Sequence, residues 1–303
     1  MKKKLLKHRK KILLVAVGIF FLCLGLYLWK ESARDTARWV PDYQQIPFDS
    51  LELALEEGDY DLIFQQTGLG EEGISRLLEA GRIEELAVFH RAYFLSAEYA
   101  TKEEATKYEL PLSLLPMISF QNSIISWEEY LMDTEGNRGY YLPMVPLQEG
   151  DILLTPNSHC FGWRQGHAAL VVDEENMETI ESAVLGQNSS YRSWYQWHGF
   201  PAVLILRPKE EEVIQEAVLS AKEYLSDVPY NLTVGFLFPK NLPDDEMAQG
   251  THCAHLVWQA YAWAGLDLDY NGGTIVAPKD IALSENLEVV QIWGINPEIM
   301  WSD

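Results

Sequence analysis

The stretch "GTHCAHLVWQAY", residues 250–261, decides how the chain is read, because it sets one of only three cysteines between two of seven histidines. Its spacing predicts a helix that opens near the cysteine. Thr251 stands as N-cap, Leu256, Val257, Ala260 and Tyr261 recur as an apolar stripe, and Gly265 ends the run. Cys253 then lies in the first turn. Unpaired backbone N–H groups and the positive end of the helix dipole favour a thiolate there, and the same groups suit the oxyanion of a tetrahedral intermediate.

A thiolate nucleophile needs a base, normally histidine, and a group that orients it. No histidine follows His255, and His252 and His255 share a short segment with the sulfur. His8 precedes a long apolar run and His90 belongs to a helical pattern. Three candidates are left: His159, His167 and His198. The favoured one is His167, which heads the predicted strand "HAALVVD" (167–173) directly after Gly166, because a strand end holds a base rigidly. For the orienting carboxylate, Glu181 in the next predicted strand, "ETIESAV" (178–184), comes first and Glu178 second. His252 counts as a supporting residue, and Trp163 and Arg164 either line the cleft or pack a loop.

Two metal readings compete with the nucleophile. His159, Cys160, His167, His252, Cys253 and His255 are zinc-ligand types, but their spacing matches no common zinc pattern. "DLDYNGG" (267–273) copies the first half of an EF-hand loop, with Pro278 where the bidentate Glu belongs, which favours a turn. No metal and no cofactor are expected.

The rest of the chain gives this segment a setting. With 303 residues, 48% of them hydrophobic, there is material for one or two packed domains. Three cysteines are too few for a disulfide framework, although Cys160 with Cys253 remains one conceivable pair. Residues 2–11 carry seven Lys and Arg and no acid, leaving 16 of the 23 basic residues against all 45 acidic ones. Such a body repels nucleic-acid phosphates and anionic lipid head groups. Residues 12–29 are free of charge, near the minimum length for crossing a bilayer, and no small-x-small cleavage site follows. The layout predicts a cytoplasmic basic segment (1–11), an uncleaved transmembrane signal anchor (12–29), a connector (30–46) and residues 30–303 outside the cell membrane.

Residues 47–120 read as a helical region, with apolar spacings of three and four in "SLELALEEG", "EEGISRLLEAG" and "IEELAVFHRAYFLSAEY". "GLGEEG" (68–73) matches a G-x-G-x-x-G pattern, but no strand precedes it and two glutamates would face any phosphate, so it is read as a helical hairpin turn. Residues 121–303 form the second unit. Here "GDILLTP", "HAALVVD", "ETIESAV", "PAVLILRP" and "LEVVQIW" predict strands, and residues 208–227 predict a helix. That is an α+β layout with an antiparallel sheet.

The blocks "GDILLT…GWRQGHAALVVD…TIESAV…VPYNL…THCAHLVWQAY…GGTIVAPKDI" resemble the permuted papain-like amidases, the YiiX-like distant relatives of NlpC-type cell-wall peptidases. In that group the histidine strand precedes the cysteine helix, as it does here over roughly residues 148–295. Matched block by block, the resemblance implies Cys253 as nucleophile, His167 as base, Glu181 as third polar member and Tyr230 as an aromatic lining the cleft. It implies a thiol hydrolase of amide bonds in peptidoglycan stem peptides. A lipid-directed acyltransferase or amidase, and a non-catalytic wall- or partner-binding module on the same fold, are the alternatives.

Overall fold

The computed structural model describes residues 11, 13–25, 38–94, 116–120, 126–131, 137–139, 142–160, 163–242 and 248–301. Of the apolar run, residues 13–25 are helical, while residues 12 and 26–29 lie outside the described residues. Among the described residues no helix is long and apolar enough to cross a membrane.

Four helices come first: α1 (Phe48–Glu57), α2 (Tyr60–Thr67), α3 (Glu71–Glu79) and α4 (Leu86–Phe94). Strands β1 (Pro116–Phe120), β2 (Ser126–Leu131), β3 (Ile152–Thr155), β4 (Ser158–Cys160), β5 (Trp163–Arg164), β6 (His167–Asp173), β7 (Glu178–Glu181), β8 (Ser190–Ser193) and β9 (Val203–Pro208) follow. The chain continues through α5 (Ile214–Tyr224), α6 (Cys253–Trp263), α7 (Pro278–Ala282) and β10 (Leu287–Trp293). The expected α+β class with antiparallel pairing is what is found. One sheet has six strands in the order β10-β9-β3-β6-β7-β8, and a second has four in the order β1-β2-β4-β5. The predicted helical region 47–120 is corrected at its end, where β1 pairs antiparallel with β2 across the proposed boundary. The helix expected from Pro208 begins only at Ile214, after a 3₁₀ turn at Glu211–Val213.

Strands β3, β6 and β9 are nearly continuous apolar runs because both faces of the large sheet are covered. Ile152, Leu154, Leu170 and Leu204 pack toward Ala217 and Ala221 of α5 and toward Leu256 and Val257 of α6. The alternate residues Leu153, Ala169, Val171 and Ile205 share the opposite core with Ile63, Ile74, Leu77 and Phe89 of the N-terminal helices. The helical region is therefore the second cover of the sheet.

"GLGEEG" is more than a hairpin turn. Leu69 bridges Gln291, Gly70 N donates to Val290 O at 3.0 Å, and Ile292 N donates to Gly68 O at 2.7 Å, so this backbone pairs with the edge strand β10. A Cβ at Gly70 would stand 1.8 Å from Val289 O, and one at Gly73 2.3 Å from Val290 O. Glycines are needed for backbone to approach backbone, and the contact closes an otherwise open sheet edge. The Gly70→Ala variant is expected to lose about 2 kcal/mol or more in urea unfolding. Gly58→Ala, at φ 74° but in open space, is expected to lose about 1 kcal/mol. Equal losses would show that the approach to β10 is not what Gly70 serves.

Candidate active site

Cys253 is the first residue of α6 and its thiol is free and nearly buried. The N-cap is His252, not Thr251 as the sequence predicts. Thr251 is held one residue too early, as extended chain. Its N–H donates to Pro229 O at 3.0 Å, and its carbonyl accepts from Asn231 N at 2.7 Å and from Ser182 Oγ at 3.3 Å. The Thr251 side chain pairs instead with His255 Nδ1 at 2.9 Å, while His252 Nδ1 accepts from His255 N at 3.4 Å. With that N–H taken, helix geometry leaves the N–H groups of Cys253 and Ala254 without an intrahelical partner.

His167 opens β6 at the register position opposite Thr155. The preceding Gly166 has φ 77°, and a Cβ there would meet Thr155 O at 2.7 Å, so only glycine turns the chain this tightly into the strand. The imidazole Nε2 bonds Glu181 Oε2 at 2.7 Å, which leaves Nδ1 free to face the Cys253 sulfur, whose interaction with the ring favours the imidazolium. Burial disfavours the imidazolium, but the interactions with Cys253 and Glu181 outweigh it and raise His167 to about 10. A histidine raised in this way contributes stability in full below its ordinary value near 6.5, and the contribution fades as pH rises through about 10.

Glu181 is fully buried and still held below the usual carboxylate range. Burial pushes it up, and hydrogen bonds from His167 and Thr179, with the charge of His167, pull it further down. Thr179 Oγ1 donates to Oε1 at 2.7 Å, Trp197 Nε1 to Oε1 at 3.1 Å and Gln196 Nε2 to Oε1 at 3.2 Å. The Trp197 indole also stacks on the imidazole, with centroids 5.5 Å apart and planes 16° from parallel. One tryptophan thus braces both partners.

Of the expected residues, the structure brings Cys253, His167, Glu181 and Tyr230 together. Tyr230 is half-buried and bridges Thr251 beside the cysteine. Burial raises its hydroxyl, and any charge on Cys253 or Cys160 adds to that. His252 and His255 flank the site as neutral rings, lowered by burial to about 3 and about 4. His255 Nε2 bonds Lys240 O at 2.8 Å. Arg164 does not join the site: its guanidinium pairs with Glu129 at 3.0 Å, where His159 Nε2 also bonds at 2.7 Å. Trp163 pairs with Cys160 in register, and its side chain lies outside the described residues. His198 bonds Leu142 O at 2.6 Å. Cys160 and Cys253 form no disulfide. At the EF-hand-like loop, Lys240 Nζ bonds Asp269 Oδ2 and, at 3.0 Å, Gly273 O, so an ammonium answers that carboxylate. Among the described residues no group of three or more His, Cys, Asp or Glu could hold a metal ion.

The sequence reading missed Thr179, Gln196, Trp197 and Glu128. Thr179 carried a signal, since strand period two puts it on the face of Glu181. Nothing in "SWYQWHG" or "SWEEYL" points to the histidine. Glu128 is buried, accepts a hydrogen bond from Tyr130 Oη and is raised to about 6, first by burial and then by Glu181, against the pull of His167. Compared with known proteins, the chain matches no family model, no curated protein and no solved structure.

The Glu128 carboxyl is raised above its unfolded value, so it costs stability as pH rises from about 4.5 through about 6. Glu128→Gln is therefore expected to stabilise the protein by about 1–2 kcal/mol at pH 8 and by nothing resolvable at pH 4.5, read by urea unfolding. Equal effects at both values would place the Glu128 charge outside this balance.

Proposed function

We propose that the protein is a thiol hydrolase that cleaves amide bonds through a thioester on Cys253, with His167 as base and Glu181 as its orienting carboxylate. The observation that carries the reading is one imidazole bonded through Nε2 to a buried carboxylate with further donors of its own, with the helix-start thiol of Cys253 acting on the same ring. A buried structural cysteine needs none of this.

In this mechanism His167 takes the Cys253 proton, and the thiolate attacks the substrate carbonyl carbon. The N–H groups of Cys253 and Ala254 receive the oxyanion. As the tetrahedral intermediate collapses, the carbon–nitrogen bond breaks and the imidazolium gives its proton to the leaving amine. Water, deprotonated by His167, then releases the acyl group and restores the thiol. Glu181 stays ionised and fixes the ring. The order of His167 before Cys253 supports a permuted papain-like arrangement, and the resemblance to cell-wall amidases makes peptidoglycan stem peptides the substrate class. The charge-free run at residues 12–29, preceded by seven cations, supports a signal anchor with residues 30–303 outside the membrane. A lipid-directed acyl transfer is the second reading, favoured by an exposed apolar loop beside the site.

Incubation with wall fragments should give new amine ends and, on rapid quenching, an acyl mass on Cys253. Cys253→Ala should be inactive. His167→Ala should fall by about three orders of magnitude or more, and Glu181→Gln should lie between it and wild type. His198→Ala should have a mild effect. Iodoacetamide should label native Cys253 at about pH 6 at least tenfold faster in wild type than in His167→Ala. Labelling that needs a chelator would support zinc, and labelling that needs unfolding would support a core cysteine. Labelled but inactive protein would favour the binding module.

A further inference from the structure

Residues 231–239, "NLTVGFLFP", carry no charge in a chain with 45 acidic residues. They form a tight loop whose tip projects into solvent, with Phe236 72%, Leu237 68% and Phe238 47% exposed. The tip's backbone donors are satisfied from within. Phe236 N and Leu237 N donate to Thr233 O at 3.0 and 2.8 Å, Phe238 N adds a longer bond to the same oxygen, and Gly235 N donates to Phe238 O at 2.9 Å. Gly235, at φ 86°, lies so close to Thr274 O that a Cβ would sit 1.7 Å away, which fixes the tip against the 274–275 segment. Ile275, also exposed, extends the apolar surface.

The base of the loop is tied to the candidate site. Asn231 N bonds Thr251 O at 2.7 Å, Tyr230 bridges Thr251, and His255 bonds Lys240 O. Leu242 N adds a bond to Gln259 Oε1 at 2.9 Å. The cation that follows the loop in sequence, Lys240, is turned inward to Asp269.

We infer that the loop at residues 233–239 is a membrane-docking element whose Phe236, Leu237 and Phe238 enter the interface of a phospholipid bilayer and hold the Cys253 site at the membrane surface. At 72%, 68% and 47% exposure the three large apolar side chains offer roughly 400 Å², short of the roughly 800 Å² per partner that a stable protein interface buries. A second copy of this chain is therefore a poor fit. A tip without charge and with its donors closed internally meets what the apolar side of a bilayer demands. The acidic body selects zwitterionic lipid over anionic lipid. The inference rests on the membrane-anchor reading for the supply of a nearby bilayer, and it makes substrates presented at that surface the ones the site meets.

The test places p-benzoylphenylalanine at Leu237, and separately at exposed Leu219 of α5, in the full chain reconstituted with phosphatidylcholine vesicles. After irradiation, intact mass and peptide mapping identify what is attached. The expected result is a phospholipid adduct at position 237 at least tenfold more abundant than at 219. Phe236→Ser with Phe238→Ser in the same background should reduce it at least fivefold. Adducts to this chain or to a second copy, a lipid yield no greater than at 219, or a yield unmoved by the serine variants would each overturn the inference. Flotation reads the anchor separately: protein that does not float with the vesicles counts against the anchor, while the crosslink at 237 is scored in either case.

Discussion

A single buried carboxylate sets the geometry of the candidate site. Glu181 has no exposure to speak of, so its charge is tolerable only because His167, Thr179, Gln196 and Trp197 all donate to it. Each donor comes from a defined place. Thr179 stands two residues earlier on β7, His167 opens the neighbouring strand, and Gln196 and Trp197 come from the 3₁₀ turn Trp194–Gly199. Satisfying Glu181 therefore fixes the strand pairing, the turn and the imidazole plane together. The thiol is added from the other side by a helix whose first residue must be Cys253. His167 and Thr179 in particular hold the carboxylate in its charged form, and that charge orients the imidazole.

The sheet that carries this pair is kept in place by an equally polar device far from it. Asp151, wholly buried ahead of β3, accepts from Arg76 of α3 at 2.5 and 2.9 Å and from Arg207 of β9 at 3.0 Å. Arg76 also bonds Glu72 at 2.7 Å and Pro146 O at 3.1 Å. Apolar packing alone would let the helical layer slide over a greasy sheet face, because hydrophobic contact is not directional. The bidentate Arg76–Asp151 pair and the glycine-mediated contact of residues 68–73 with β10 each allow one register. The helical region thus contributes position as well as buried area.

What could be read in the sequence follows from how local each feature is. The "HAALVVD" and "LEVVQIW" strands end where their apolar patterns end. The helix of Cys253 was legible from its stripe, and its cap was misplaced by one residue because a long-range pairing with residues 229–231 holds Thr251 extended. The Cys253, His167 and Glu181 trio could be argued from residue types and elimination. Trp197 and Glu128 could not, since their roles arise from contacts across 16 residues or between separate sheets, and no spacing rule encodes those. The glycines of "GLGEEG" were visible as a pattern, but the strand they approach lies more than two hundred residues away.

Charge placement connects the site to the surface around it. In the segment 267–273, whose spacing copies half of a calcium loop but favours a turn, the neutralising group is Lys240, which also lies 4.4 Å from the centre of the Trp258 ring. That choice has two consequences. A lysine bonded to Asp269 and Gly273 cannot present its charge at the apolar tip that precedes it, so the tip stays neutral. The carbonyl of the same residue accepts from His255, two residues after Cys253, so the loop is tied to the first turn of α6. An internal cation therefore neutralises Asp269 and ties down the 267–273 turn from within the protein. The orientation of Cys253 toward whatever meets that face is then set by covalent chain and hydrogen bonds rather than by ion availability.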